Sequence, residues 1–114
     1  SGAMDSSDVV NLLTKTFGFT QLQFARVTGV STRSVRNWQD GGPMRQKAED
    51  RTRDFARVVK VLVPALGKRA IRQWIMQKIT DPDVERMIDL IAQDRSEEVE
   101  EQARQIVALR KGKS

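Results

Sequence analysis

A short run of polar side chains in the first third of the chain carries the clearest chemical signal in this sequence. Thr32, Arg33, Arg36 and Asn37 are spaced so that they would lie on one side of an α-helix. A guanidinium group can donate two hydrogen bonds to guanine, a carboxamide can pair with adenine, and a threonine methyl group can contact thymine. These four side chains are therefore candidates for reading base edges in the major groove of DNA.

Two predicted helices joined by a tight turn would position these side chains. Thr20 and Gln23 form a capping-box pattern, which predicts a helix over residues 21–28. Gly29 predicts the end of that helix, because glycine readily adopts a left-handed conformation. Ser31 then has the right type to cap a second helix, which would carry the polar run.

The inner side of the second helix completes a helix-turn-helix pattern. Its apolar residues, Val35 and Trp38, would face the core while the polar residues face outward. The pattern G-V-S-x-x-x-V-x-x-W-x-x-G over residues 29–41 resembles the Xre/Cro/phage-repressor family. That resemblance implies sequence-specific binding of double-stranded DNA. The sequence departs from the family at Gln39, where glutamate is common, and at Thr28, where an aliphatic residue is more common.

Residues on either side of the reading helix are candidates for contacts with the phosphate backbone. A basic helical pattern follows over residues 44–63, and its first basic side chains would lie nearest the reading helix. The resemblance also implies a phosphate contact at the start of the preceding helix. Such contacts raise affinity and its salt dependence but read no sequence. The candidates are Gln21, Ser31, Arg45, Lys47 and Arg51.

The composition argues against an enzyme. The chain contains neither histidine nor cysteine, so it lacks the usual zinc ligands and the usual nucleophile–base pairs. Asp81, Asp83 and Glu85 alternate, but a helix start explains this pattern better than a cation site does. We therefore expect no cofactor and no metal. No run of apolar residues is long enough to span a bilayer, and we expect a cytoplasmic, nucleoid-associated protein.

Charge is distributed unevenly along the chain. Residues 44–79 carry ten basic and three acidic side chains, whereas residues 80–114 carry six basic and nine acidic ones. A polyanionic partner would therefore meet the first two-thirds of the chain.

The remaining periodicity predicts an all-α fold with six or seven helices. A first helix would cover residues 5–18, and further helices would cover residues 67–78, begin at Thr80-Asp81-Pro82 and begin at Ser96. We predict three parts: residues 1–4 (SGAM) as a cloning remnant, residues 5–66 as a helix-turn-helix DNA-binding domain, and residues 67–114 as a C-terminal helical region for dimerisation or partner binding.

The C-terminal region leaves two functional hypotheses open. A regulator would use it to form a homodimer on a pseudo-palindromic operator, because one reading helix contacts few bases. Alternatively, residues 66–92 resemble, less closely, the toxin-binding C-terminal region of Xre-type antitoxins through Trp74 and Pro82, although the loop glycine usual in that family is absent. In that case the chain would be an antitoxin or a phage adaptor, and a partner protein would bind residues 67–114.

Overall fold

The computed structural model describes residues 4–112 and confirms the all-α class. Most of the predicted cloning remnant, residues 1–3, and the final residues 113–114 lie outside the described residues. Within the described range the chain forms seven α-helices: α1 (Ser6–Asn11), α2 (Gln21–Thr28), α3 (Thr32–Gln39), α4 (Gln46–Leu62), α5 (Lys68–Met76), α6 (Met87–Ala92) and α7 (Ser96–Gly112).

The first predicted helix consists of an α-helical segment followed by a π-helical one. After α1 the chain continues as a π-helical segment over Leu12–Thr16 and then turns at Gly18, whose φ is 82°. Asp5 caps α1, because its side chain accepts a hydrogen bond from the Asp8 N–H at 2.9 Å. Val9, Val10 and Leu13 are buried, so this segment covers one side of the helices that follow.

Helix α4 is the central element of the core. Its Phe55 ring lies 4.7 Å from the ring of Phe19 and 5.7 Å from that of Phe24. Arg51 reaches the end of α6, and Arg57 lies 3.8 Å from the Glu100 carboxylate on α7. Helix α4 therefore packs against the first helices on one side and against α6 and α7 on the other.

The segment between α5 and α6 differs from the predicted helix start at Thr80-Asp81-Pro82. The Asp81 carboxylate accepts a hydrogen bond from the Asp83 N–H at 2.9 Å, which closes a turn instead of capping a helix. Lys78 and Arg86 then pair as an isolated antiparallel β-bridge. Because residues 84–86 are used in this bridge and its approach, α6 begins only at Met87.

One hydrophobic core contains buried residues from both predicted parts of the chain. Val10, Phe24 and Val35 belong to it, and so do Ile88 and Val99 from the C-terminal helices. The boundary at residue 66 stays a prediction. Among residues 4–112, no helix is long and apolar enough to cross a membrane. No group of three or more carboxylates within the same range comes together as a metal-binding cluster.

Candidate DNA-binding surface and C-terminal groove

The turn between α2 and α3 has the geometry expected from its sequence. Thr20 and Gln23 form the reciprocal capping box at the start of α2, and Gly29 ends that helix with a φ of 75°. The Ser31 hydroxyl oxygen accepts a hydrogen bond from the Ser34 N–H at 3.2 Å and so caps α3. The two helix ends are thus defined by local interactions.

Helix α3 is held in place by its inner face. Val35 is fully buried and Trp38 nearly so. The Trp38 ring lies 6.4 Å from the ring of Phe24 on α2, in an edge-to-face arrangement that stabilises aromatic pairs. Trp38 is therefore a core residue, and the orientation of α3 relative to α2 depends on it.

The opposite face of α3 is accessible. Arg33, Arg36 and Asn37 are exposed, and Thr32 is half-buried at the first turn. In the part of the chain that the structure describes, none of these four side chains makes a hydrogen bond or an ion pair. Their donors and acceptors are consequently available to a ligand, and they lie together on one helical face.

A network of side-chain hydrogen bonds connects the start of α2 with the end of α3. The Gln21 amide donates to Gln39 Oε1 at 2.8 Å, and Gln39 Nε2 donates to Thr14 Oγ1 at 2.9 Å. Asn11 Nδ2 donates to the Gln39 carbonyl oxygen at 2.9 Å. Gln39, which departs from the family pattern, thus positions Gln21. Gln21 is half-buried and lies at the margin of the exposed surface.

Two of the predicted basic contacts lie near α3 and the turn before it. Arg45 and Lys47, at the beginning of α4, are exposed. Arg45 lines a cavity of about 290 Å³ together with Val30, Ser34 and Trp38, which brings its side chain next to α3. The structure therefore assembles Thr32, Arg33, Arg36, Asn37 and their flanking candidates Gln21, Ser31, Arg45 and Lys47 on neighbouring elements.

Arg51 does not belong to this surface. Its side chain is buried, and its guanidinium group donates hydrogen bonds to the carbonyl oxygens of Ile91, at 3.3 Å, and Ala92. It also lies 3.6 Å from the Asp94 carboxylate. The sequence-based assignment of Arg51 as a phosphate contact is therefore wrong, because this side chain satisfies the carbonyl groups at the end of α6.

A groove lies between α5 and the end of α7. It has a volume of about 660 Å³ and is lined by Leu66, Ala70, Gln73, Trp74, Gln77, Ile106, Leu109 and Arg110. Trp74 is only half-buried, and Leu109 is 62% exposed. The apolar stripe of α5 indicated one side of this groove from the sequence. The contribution of α7 could not be predicted, because it depends on how the two helices pack.

Arg26 joins the helix-turn-helix to α6. Arg95 joins the segment between α5 and α6 to the start of α7. Arg26 on α2 donates two hydrogen bonds to the Asp89 carboxylate, at 2.6 and 2.7 Å. Burial alone would raise the pKa of Asp89, but these hydrogen bonds and one from the Arg86 N–H lower that pKa below its ordinary value. Hydrogen bonds from Arg95 likewise lower the pKa of Asp81 and of Glu98.

These ion pairs predict a stability that falls in acid and does not change with pH near neutrality. A carboxylate whose pKa is lowered in the folded state stabilises the fold above its unfolded pKa, about 4, and loses that contribution as the pH falls further. The free energy of unfolding should therefore be constant between pH 5 and 7, where no histidine titrates, and fall below pH 4. Denaturant unfolding at several pH values measures this profile.

Replacement of Asp89 by asparagine provides the matched variant. Asp89→Asn should lower the free energy of unfolding by about 1–2 kcal/mol at pH 7, because charge-assisted hydrogen bonds from Arg26 are weakened. The difference from wild type should be smaller at pH 3, which is below the pKa of Asp89 in the unfolded chain, because protonation of that carboxyl then favours the unfolded wild type. An equal loss at both pH values would contradict the ionic contribution of this pair.

Comparison with known proteins relates the chain to one curated protein. It is 36% identical over 105 residues to the probable mycobacterial cidal antitoxin Rv3188 of Mycobacterium tuberculosis, an alignment that covers 92% of this chain and 90% of the relative. No family model matches the chain, so its likeness to the Xre/Cro family remains a resemblance. No solved structure matches it.

Proposed function

The chain belongs to the same family as this mycobacterial antitoxin, and we propose that it is itself an antitoxin, which binds and neutralises a protein toxin through its C-terminal helices. The observation that carries the proposal is the extent of the similarity. It spans 92% of the chain, and so includes the C-terminal helices as well as the helix-turn-helix. This relationship favours the second of the two functions that the sequence left open.

The groove between α5 and α7 is the surface that we assign to the toxin. Leu66, Trp74, Ile106 and Leu109 offer apolar contact area, while Gln73 and Arg110 supply polar groups at its edge. A partly exposed tryptophan with an arginine beside it is the type of surface that contributes strongly to binding between proteins. The proposed occupant is a segment of the toxin that is apolar at its centre.

Co-expression tests the antitoxin function. The protein encoded beside this chain in its genome should arrest growth when expressed alone, and growth should resume when the full chain is expressed with it. The two proteins should then co-purify as a stoichiometric complex. If the neighbouring protein is toxic and the full chain neither binds it nor restores growth, the proposal is wrong for that pair.

A charge placed in the groove should weaken neutralisation without unfolding the chain. Leu109→Asp introduces a carboxylate at a residue that is 62% exposed, so the fold should tolerate it. Burying that charge against an apolar toxin segment should reduce affinity about 10- to 100-fold, measured by titration calorimetry. Leu22→Asp, at a residue that is 72% exposed on α2, is the matched control and should bind the toxin normally. Equal affinities of the two variants would place the toxin elsewhere.

DNA binding is the second function that we propose, and the exposed face of α3 supports it. Arg33 and Asn37 carry exposed groups suited to guanine and adenine, and Arg45 and Lys47 flank them. We propose that the helix capped by Ser31 enters the major groove, and that two copies of the chain bind a pseudo-palindromic site. A protein with both surfaces could act as an antitoxin and as a regulator of transcription.

A further inference from the structure

Helix α5 lies within a stretch of the chain that contains basic residues but no acidic ones. No acidic residue occurs between Asp54 and Asp81, whereas this interval contains six basic ones: Arg57, Lys60, Lys68, Arg69, Arg72 and Lys78. Arg57 pairs with Asp54 and Glu100. Among the described residues, neither Lys68 nor Arg69 makes an ion pair, and both side chains are exposed. No carboxylate among the described residues therefore neutralises Lys68 or Arg69.

Arg72 fixes this helix against the loop that leads into α2. Its Nη1 atom donates a hydrogen bond to the Phe17 carbonyl oxygen at 2.7 Å. The same atom lies only 3.0 Å from the position that a Cβ would occupy on Gly18, so the absence of a side chain there permits this close approach. Thr20 and Gln21, at the margin of the candidate DNA surface, follow within a few residues.

The basic side chains of α5 lie on the same face of the helix as Arg72. Lys68 and Arg69 precede Arg72 by four and three residues, which places them on neighbouring positions of one helical face. Lys15, also exposed, precedes the Phe17 carbonyl group by two residues. The groove residues Ala70 and Trp74 point toward α7 instead. Helix α5 thus has a groove face and a separate basic face beside the start of α2.

We propose that Lys15, Lys68 and Arg69 bind the phosphate backbone of the DNA at the outer flank of the site that α3 reads. This inference rests on the proposed DNA-binding function and extends it into the C-terminal region. Arg72 acts as a positioning residue, because its guanidinium group is engaged by the Phe17 carbonyl oxygen. Exposed cationic groups are suited to a phosphodiester backbone, and they add affinity that depends on salt but not on sequence.

Salt dependence measures the size of this contribution. The double variant Lys68→Ala/Arg69→Ala should reduce the slope of log affinity against log salt by about 2, because each lost phosphate contact reduces it by about 0.9. Lys60→Ala/Arg104→Ala removes one exposed positive charge from α4 and one from α7 and should leave the slope close to that of wild type. Fluorescence anisotropy with a labelled duplex of 40 base pairs, obtained by selecting a random pool with the full chain, provides the measurement.

The absence of cysteine from the chain allows a positional test. Arg69→Cys, labelled with an iron chelate in the full chain, should cleave the selected duplex just outside the bases that α3 reads. Glu101→Cys on the exposed side of α7, labelled in the same way, should not cleave there. If the labelled Arg69→Cys protein binds the duplex but cleaves no more than the Glu101→Cys control, the inference is overturned. If the unlabelled wild-type chain selects and binds no duplex at all, the DNA-binding function itself fails, and this inference fails with it.

Discussion

Loss of sequence-specific binding, by about 30-fold to 10⁴-fold, is the expected result of replacing Arg33 and Asn37 together with alanine. Each well-formed bidentate contact with a base contributes about 1–3 kcal/mol of discrimination, so two contacts contribute about 2–6 kcal/mol. Both side chains are exposed on α3 and make no hydrogen bond within the described residues. The variant should therefore keep its helical circular-dichroism spectrum and its melting temperature.

Titration of the selected duplex at one fixed salt concentration tests this expectation. The matched control is Arg104→Ala/Gln105→Ala, which removes one guanidinium group and one carboxamide from exposed positions on α7. The control should bind the duplex as the wild type does. If the Arg33→Ala/Asn37→Ala variant retains the same preference for the selected duplex over a scrambled one, these residues do not read the bases.

Removal of residues 67–114 should unfold the remaining helix-turn-helix. Val58 and Leu62 are fully buried on α4, which packs against α6 and α7. Exposing them would cost about 1.5–3 kcal/mol each, and Arg51 would lose its carbonyl partners. The net stability of a small domain is only about 5–15 kcal/mol. Exposure of the buried α4 side chains that the C-terminal helices cover should therefore prevent cooperative folding.

Circular dichroism and a thermal melt of a chain ending at residue 66 would measure this effect. A chain ending at residue 108 is the control, because among the described residues it lacks only exposed ones. That control should melt cooperatively near the wild-type temperature. A cooperative transition in the chain ending at residue 66 would instead support the predicted boundary and an independent DNA-binding domain. The outcome also decides whether the two proposed functions, toxin binding and DNA binding, can be separated by truncation.

Much of the helix-turn-helix could be predicted because its determinants are close together in the sequence. The capping box of Thr20 and Gln23, the left-handed turn at Gly29 and the cap at Ser31 are interactions within a few residues. The burial of Trp38 followed from helical periodicity. The same reasoning placed the candidate reading residues on the exposed face of α3, although their contact with DNA stays a prediction.

Predictions failed where a polar side chain found a distant partner. Arg51 was assigned to DNA because it is basic and close to α3 in the sequence, but it bonds to carbonyl groups forty residues away. Thr80-Asp81-Pro82 has the composition of a helix start, yet Arg95 holds the Asp81 carboxylate at 2.9 Å and the segment forms a turn. In both cases a contact with another part of the chain decided the structure, because carbonyl groups at the end of α6 hold Arg51 and the Arg95 side chain holds Asp81.

The sequence by itself determined the all-α class, the two helices of the helix-turn-helix and the polar face of α3. These features depend on caps, a glycine and a helical repeat, all of which act over fewer than ten residues. Only the tertiary structure decided that Arg51 is buried, that Leu109 and Trp74 line one groove and that Arg72 brings basic α5 beside the start of α2. Each of these depends on which helices pack together, and spacing along the chain does not encode that choice.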